Sequence, residues 1–261
     1  MDMEQSILFN IIDGVGIITL NRPHVSNALS QDMITALLEI FQSLNRHDSL
    51  KLLILEGRGS HFMAGGDVEL FSLLNQSPRV RQEQMRPMMD QVHTLIRLMI
   101  DTHVPIIAKV HGTVAGFGMS LIMACDLIIM ADHVKLHPAY IHIGLSPDGL
   151  FTFHLPRAIG VKKAMYHSLL GEPIDARMAE RLGLVSQVVP QQQLDQRVTQ
   201  VTDILKQKSS TALRHTKSLL NMSFSSTMKH QSFEELAAFE DCIGTDEFIA
   251  GVMSFLQKKK D

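Results

Sequence analysis

The chain has 261 residues, of which 45% are hydrophobic and 20% charged, and its net charge at pH 7 is −3. This length suits one sizeable α/β domain, or a domain with a small helical annex, of ordinary soluble composition. A slightly acidic chain lacks the net positive charge that attracts nucleic acid or an anionic membrane, so neither is expected as a partner.

The N-terminal half alternates short apolar runs with amphipathic stretches. Apolar residues at 7–12 and 16–20 predict two strands on either side of a turn at Asp13 and Gly14. Ser30 is a suitable N-cap for a helix whose apolar residues share one face. The other predictions for this half are a buried strand at 52–55, a loop at 57–66, a short helix at 68–74 and a long helix at 79–100.

The second half continues the alternation and then becomes helical. Strands are predicted at 105–110 and 127–130, separated by a glycine-rich segment and a helix. An amphipathic stretch follows Asp148, with Phe153 expected on its apolar face. The last clear strand is 185–189. Strands that alternate with helices predict an α/β fold with crossover connections and a helical C-terminal region.

Three features bear on the compartment in which the chain works. The uncharged stretch between Lys109 and Asp126 is shorter than the ~20 residues that a membrane-spanning helix needs. Residues 1–5 are acidic and lack the apolar segment of a secretory signal. Cys125 and Cys242 have the spacing of neither a disulfide framework nor a metal site. We therefore expect a cytoplasmic protein that spans no membrane and binds no metal.

Two glycine-bearing loops follow buried strands, where binding sites are often built. Gly66 lets a ligand approach the backbone and precedes Asp67, although this pattern alone is most often a plain turn into a helix. In the second loop, Gly116 and Gly118 open a helix after a strand but spell only part of a dinucleotide-binding fingerprint. A backbone N–H donor to a negatively charged oxygen is equally consistent with that loop.

A third loop, at residues 143–149, contains Pro147 and Asp148 just ahead of the amphipathic stretch. Pro147 makes the turn rigid. An aspartate at the start of such a stretch is most often an N-cap, and the residue pattern alone favours that role for Asp148.

Taken in order, these segments resemble the enoyl-CoA hydratase/isomerase superfamily, also called the crotonase superfamily, over nearly the whole chain. Residues 62–67 resemble its Ala-Gly-x-Asp element, and residues 109–126 resemble its central strand, glycine turn and helix, ending in Ala-Cys-Asp. The similarity extends to Leu-Asn-Arg-Pro at 20–23, Asn-Ala-Leu at 27–29, Leu-Pro-Arg at 155–157, Gly-Leu-Val at 183–185 and Phe-Leu-Gln-Lys-Lys at 255–259.

The resemblance implies an architecture and an assembly. The fold would be the α/β crotonase (ClpP-like) superhelix of ββα turns, with a spiral core over residues 1–200. Residues 201–261 would form a helical region at the interface of a homotrimer, or of a hexamer made from two trimers.

The resemblance also implies a site. The backbone amides of Gly66 and Phe117 would hold the enolate oxygen of an acyl-CoA thioester, as donors aimed at a developing negative charge do. No cofactor is implied, because coenzyme A arrives as part of the substrate. The substrate-binding residues implied around this site are Val25, Ala28, Met63, Ala64, Asp67, Val68, Gly116, Ser120 and Tyr140.

The chain departs from the hydratases of this superfamily, which use two glutamates. Ser120 and Tyr140 stand at the corresponding positions, which argues against ordinary hydration. Residues 144–149 are similar to a segment of the phenylacetate-pathway 1,2-epoxyphenylacetyl-CoA isomerases, in which the aspartate is the base. The resemblance thus makes Asp148 the candidate base for a 1,3-proton shift that converts a Δ3 into a Δ2 enoyl-CoA. Desolvation by Leu150, Phe151 and Phe153 is expected to raise the pKa of Asp148.

Several alternatives stay open on this evidence. The same scaffold could support hydration through other groups, decarboxylation or another lyase reaction of a thioester enolate. The chain could also be a catalytically silent acyl-CoA-binding protein or a purely structural partner. Tyr140 could equally hydrogen-bond the substrate or fill the space of the missing glutamate. The metabolic setting that the resemblance implies is fatty acid metabolism.

Overall fold

The fold is taken from a computed structural model, which describes residues 5–47, 49–67 and 76–258. The helix predicted at 68–74 and the candidate residue Val68 lie outside the described residues.

The main sheet of the described residues has six strands in the order β1-β2-β3-β4-β6-β9. β1 and β2 pair antiparallel, and every later neighbour in this sheet pairs parallel. The predicted apolar runs fall on these strands, and most residues of the four central strands are buried, as expected where helices cover both faces of a sheet. The strands are β1 (Ile7–Ile12), β2 (Val15–Leu20), β3 (Leu52–Gly57), β4 (Ile106–Val110), β6 (Leu127–Ala131) and β9 (Gln187–Val189).

A second, three-stranded sheet was not predicted. It consists of β5 (Thr113–Ala115), β7 (Lys135–His137) and β8 (Ile174–Asp175), in which β5 and β7 pair parallel and β7 and β8 antiparallel. β5 lies inside the segment that we expected to be a glycine-rich loop. It positions the start of the short helix that follows.

The helices cover the sheets and form the C-terminal part of the chain. They are α1 (Gln31–Ser43), α2 (Pro78–Asp101), α3 (Phe117–Met123), α4 (Phe151–Ile159), α5 (Val161–Leu170), α6 (Ala176–Arg181), α7 (Leu194–Lys206), α8 (Ser210–Met222), α9 (Met228–Ile243) and α10 (Asp246–Lys258). The predicted N-cap of α1 is confirmed, because Oγ of Ser30 accepts a hydrogen bond from the amide of Met33 at 3.3 Å. No helix within the described ranges is long and apolar enough to span a membrane.

The face that α4 buries differs from the prediction. Phe151, Leu155 and Ile159 are buried, whereas Phe153 is 38% exposed. The ring of Phe153 instead lies against the guanidinium of Arg157, 3.7 Å from the ring centroid. Phe151, Leu155 and Ile159 recur every four residues and share one face of the helix, which leaves Phe153 on the other side.

α8 is held to the core by an ion pair between a buried lysine and a partly exposed aspartate. Nζ of Lys217 lies 2.9 Å from Oδ2 of Asp126 and also donates to the carbonyls of Met99 and Val104, each at 3.1 Å. Asp126 additionally accepts the amide of Ile106 at 2.7 Å. The boundary that we placed at residue 200 falls inside α7, whereas the last strand, β9, already ends at Val189.

Candidate active site

Residues 63–66 lie alongside residues 113–116. Met63 and Val114 form a parallel bridge, in which the amide of Met63 donates to Thr113 at 3.1 Å and the amide of Ala115 donates to Met63 at 3.0 Å. In this register, Gly66 is the counterpart of Phe117. The pairing therefore brings the two amides predicted for the oxyanion hole to matching positions on neighbouring segments.

The amides of Gly66 and Phe117 are both left without an acceptor in the described part of the chain. Gly66 forms a parallel bridge with Leu29, whose bonds use the carbonyl of Gly65 and the amide of Asp67 and leave the amide of Gly66 free. Phe117 is the first residue of α3, so it has no acceptor within the helix. Gly116 precedes it with φ +49° and ψ −120°, which only glycine adopts easily.

Asp148 belongs to a tight turn that is docked on α3. Its carbonyl accepts hydrogen bonds from Oγ of Ser120 at 2.9 Å and from the amide of Phe151 at 3.1 Å. Leu150 is the N-cap of α4, with φ +60°, and no side chain caps this helix. The N-cap role that the residue pattern alone favoured for Asp148 is therefore wrong, and its carboxyl is available for another purpose.

The carboxyl of Asp148 is half-buried and accepts a 2.6 Å hydrogen bond at Oδ1 from the hydroxyl of Tyr140. Burial raises the pKa of Asp148 above its ordinary value, while the Tyr140 hydrogen bond and the nearby His93 act in the opposite direction. The predicted direction of the pKa shift thus holds. The ring of Phe153, which we expected to contribute to this burial, packs against Arg157 and Phe224.

The two residues at the hydratase glutamate positions are in contact with each other. Oγ of Ser120 lies 3.0 Å from the hydroxyl of Tyr140, and both side chains are buried. The ring of Phe151 packs edge-on against Tyr140, with 5.7 Å between the ring centroids. Burial and the adjacent Asp148 raise the pKa of Tyr140, so its hydroxyl stays protonated and acts as a donor.

The docking of this turn predicts an asymmetry between two alanine substitutions. A Cβ on Gly149 would lie 2.9 Å from both the Phe117 ring and Cβ of Ser120, at a φ of +58°. A Cβ on Gly144 would meet nothing within 4 Å, at a φ of +74°. Each change costs about 1–2 kcal/mol for the left-handed backbone. Gly149→Ala is expected to cost about 1–3 kcal/mol more through overpacking.

Urea unfolding of the two alanine variants measures this difference in unfolding free energy directly. Gly144→Ala is the control, because it adds the strain of a left-handed backbone but no steric overlap. Equal losses of unfolding free energy would show that the turn is not packed on α3 as described.

The other predicted substrate-binding residues occupy different kinds of position. Val25 and Ala28 are half-buried in the first loop, and Ala64 is exposed beside Gly66. Asp67 forms a 2.9 Å ion pair with Arg22. Met63 is fully buried and both of its backbone groups are paired, so it supports the site from behind and presents no free group to a ligand.

Residues that sequence reasoning did not single out hold these loops together. Asn27 is fully buried, and its side-chain amide donates to the carbonyls of Arg58 at 3.0 Å and His61 at 2.8 Å. Arg22 donates to the carbonyl of Ala28 at 2.6 Å as well as to Asp67. Arg22 lies in the Leu-Asn-Arg-Pro motif and Asn27 in the Asn-Ala-Leu motif. Only the family resemblance of these motifs indicated that the two residues matter. In the described ranges, no three His, Cys, Asp or Glu residues cluster so as to hold a metal ion.

Comparison with protein families assigns the chain. Residues 10–261 match the profile described as enoyl-CoA hydratase/isomerase. The chain belongs to the enoyl-CoA hydratase/isomerase family. Members of this family are enzymes of acyl-CoA thioesters, which is consistent with two free amides at matching positions.

Relatives in the enoyl-CoA hydratase/isomerase family carry both kinds of name. A probable enoyl-CoA hydratase of Mycobacterium leprae is 32% identical over 252 residues, covering 95% of each chain. A 1,2-epoxyphenylacetyl-CoA isomerase of Escherichia coli is 29% identical over 263 residues, covering 98% of this chain and 97% of its own. The crystal structure of an enoyl-CoA hydratase from Bacillus anthracis superposes with a TM-score of 0.90 at 27% identity, covering 97% of each chain. The predicted crotonase fold is confirmed.

Proposed function

We propose that this protein is an isomerase that shifts the double bond of an unsaturated acyl-CoA from the Δ3 to the Δ2 position. Asp148 removes a proton from C2, breaking the C–H bond, and the electron pair spreads into a dienolate whose oxygen is held by the amides of Gly66 and Phe117. Asp148 then returns the proton to C4. One carboxyl near both carbons is sufficient for the two steps.

The observation that carries the proposal is the fixed carboxyl of Asp148 on the turn docked against α3. Ser120 joins that turn to the helix whose first residue is Phe117, so the base and one amide donor are positioned by the same seven-residue helix. The raised pKa of Asp148 strengthens it as a base compared with a solvated aspartate.

Hydration is the main competing function, because relatives include named hydratases. It needs groups that position water and move protons at the two glutamate positions of that reaction. Ser120 and Tyr140 stand there, and their hydroxyls are already engaged with each other and with Asp148. A silent acyl-CoA-binding protein is the remaining alternative.

A parallel assay with 3-enoyl-CoA, 2-enoyl-CoA and malonyl-type thioesters tests the proposal. We expect conversion of the 3-enoyl substrate and no hydration of the 2-enoyl one. Turnover confined to hydration or decarboxylation would replace the isomerase by that activity. Binding of all three thioesters without turnover would identify a silent binding protein.

The raised pKa of Asp148 predicts the pH dependence of turnover. The base must be ionised, and a pKa above the ordinary 3.8 means that the carboxyl takes up its proton at higher pH. As pH falls, kcat/KM is therefore expected to decline before a free aspartate would titrate. The measurement is kcat/KM for the 3-enoyl substrate across the acid range, with stability checked at each pH. A rate that stays constant down to the pH at which free aspartate titrates would contradict the assignment.

We also propose a homo-oligomer, a trimer or a hexamer, with α9 and α10 at its interface. Large apolar side chains on these helices are exposed, among them Phe233 at 67% and Phe239 at 65%. Exposed apolar surface of this kind marks association sites. Phe239→Asp is expected to yield smaller species in sedimentation velocity, whereas Ile12→Asp, 60% exposed at the main sheet's edge, is not. A wild-type protein that sediments as a monomer would contradict this.

A further inference from the structure

The two side chains at the hydratase glutamate positions form a hydroxyl cluster with Asp148. Its three oxygen-to-oxygen distances are 2.6 Å from Tyr140 to Oδ1 of Asp148, 3.0 Å from Tyr140 to Ser120, and 2.9 Å from Ser120 to the Asp148 carbonyl. The cluster therefore holds Asp148 at two points, the carboxyl and the main chain.

The protons in this cluster have defined places. An ionised carboxylate only accepts, so the Tyr140 proton lies toward Oδ1. The single proton of Ser120 is then shared between the carbonyl of Asp148 and the phenol oxygen of Tyr140. Within the described chain, no other residue donates a hydrogen bond to Oδ2 of Asp148, and the amide of Asp148 itself also stabilises the ionised carboxyl.

The two carboxyl oxygens of Asp148 therefore differ in their hydrogen bonding. Oδ1 is occupied by a buried donor, while Oδ2 is not part of the cluster. Proton uptake and release at Oδ2 leave the Tyr140 and Ser120 hydrogen bonds unchanged, because neither bond uses that oxygen. The carboxyl can thus change its protonation state without losing its anchor.

We propose that Tyr140 is a positioning residue for Asp148, which holds Oδ1 so that Oδ2 carries the proton between the substrate carbons. Ser120 assists by holding both the phenol and the turn. Tyr140 and Ser120 thereby act through Asp148 and not on the substrate. The proposal rests on the proposed function only in naming Asp148 as the base.

A fluorine label tests the contact without any need for activity. The chain has two tyrosines, Tyr140 and Tyr166, and Tyr166 is 53% exposed. In a Tyr166→Phe background, 3-fluorotyrosine labels Tyr140 alone. We expect its ¹⁹F resonance to shift with pH as Asp148 titrates, and this shift to disappear in Asp148→Asn. The titratable groups that face Asp148 in the described chain are Tyr140 and His93, and His93 is kept in every variant.

Kinetics supply the second readout. Tyr140→Phe removes the donor that lowers the pKa of Asp148, so the acid limb of kcat/KM is expected to move to higher pH. A carboxyl that loses its orientation should also lower kcat, by up to roughly 100-fold, with a smaller change in KM. Tyr166→Phe is the matched control and should leave the pH profile and kcat unchanged.

The outcomes separate this inference from the proposed function. A ¹⁹F resonance that does not titrate, or one whose titration is the same in Asp148→Asn as in the parent, overturns the positioning role even if the enzyme is an isomerase. A wild-type acid limb in a folded Tyr140→Phe overturns it as well. If the protein shows no isomerase activity but the ¹⁹F titration follows Asp148, the contact stands and only the proposed reaction falls.

Discussion

Asp148→Asn is expected to lower isomerase turnover by roughly 10²- to 10⁴-fold, the usual contribution of a general base. Asparagine has nearly the shape of aspartate, and its amide oxygen can still accept the 2.6 Å hydrogen bond from Tyr140. The turn should therefore keep its place on α3, and the amides of Gly66 and Phe117, which we propose as the oxyanion donors, are untouched. The loss should appear in kcat, while binding of the acyl thioester changes little.

The measurement is steady-state kinetics with a 3-enoyl-CoA, together with calorimetric binding of a saturated acyl-CoA to Asp148→Asn. Asp175→Asn is the matched control, because Asp175 is an exposed N-cap of α6 and asparagine caps equally well. An Asp148→Asn enzyme with wild-type kcat would show that another group moves the proton.

Lys217→Met is expected to destabilise the protein by about 1–3 kcal/mol, because it leaves two carbonyls and the partly exposed Asp126 carboxylate without the buried ammonium that donates to them. The lysine ammonium has all three of its protons engaged, with Asp126, Met99 and Val104. Its loss leaves the Asp126 carboxylate in a site where burial already raises the pKa of that group. The destabilisation should therefore be largest at neutral pH and should shrink as the pH falls and Asp126 takes up a proton.

Urea unfolding of Lys217→Met at neutral and at acid pH measures both the size and the sign of this effect. Lys229→Met is the matched control, because Lys229 is exposed at the start of α9. A double variant that also carries Asp126→Asn should recover part of the loss, since the unpaired charge is gone. A Lys217→Met protein that unfolds at the wild-type urea concentration would show that α8 is not held by this pair.

The sequence predicts the main sheet well, because its four central strands are short apolar runs whose residues are mostly buried. β3 and β4 differ from their predicted ranges by only one or two residues at an end. β5, β7 and β8 were missed, because strands of two or three residues carry no periodic signal. Their pairing joins positions about twenty and forty residues apart, such as Thr113 with Lys135 and Lys135 with Asp175.

The individual residues of the candidate site could be predicted from the sequence, but the contacts between them could not. The family motifs nominate Gly66, Phe117 and Asp148 as site residues, and the structure adds the backbone pairing of the first two segments and the turn that carries Asp148. The pattern could not tell whether Tyr140 meets the substrate or fills space, since a hydroxyl eight residues from Asp148 has no fixed direction before the turn is known. Lys217 and Asp126 are ninety-one residues apart, and nothing in the sequence near either residue indicates that they form an ion pair.

The side-by-side course of residues 63–66 and 113–116 has a consequence for redesign of the enzyme. The spacing of the two amide donors is set by main-chain bonds, so it does not depend on which side chains stand at Ala64 and Phe117. Ala64 is exposed, whereas the buried Phe117 ring lies against the turn that carries Asp148. A library restricted to position 64 would therefore change the lining of the proposed site and leave both amides and the Asp148 turn in place.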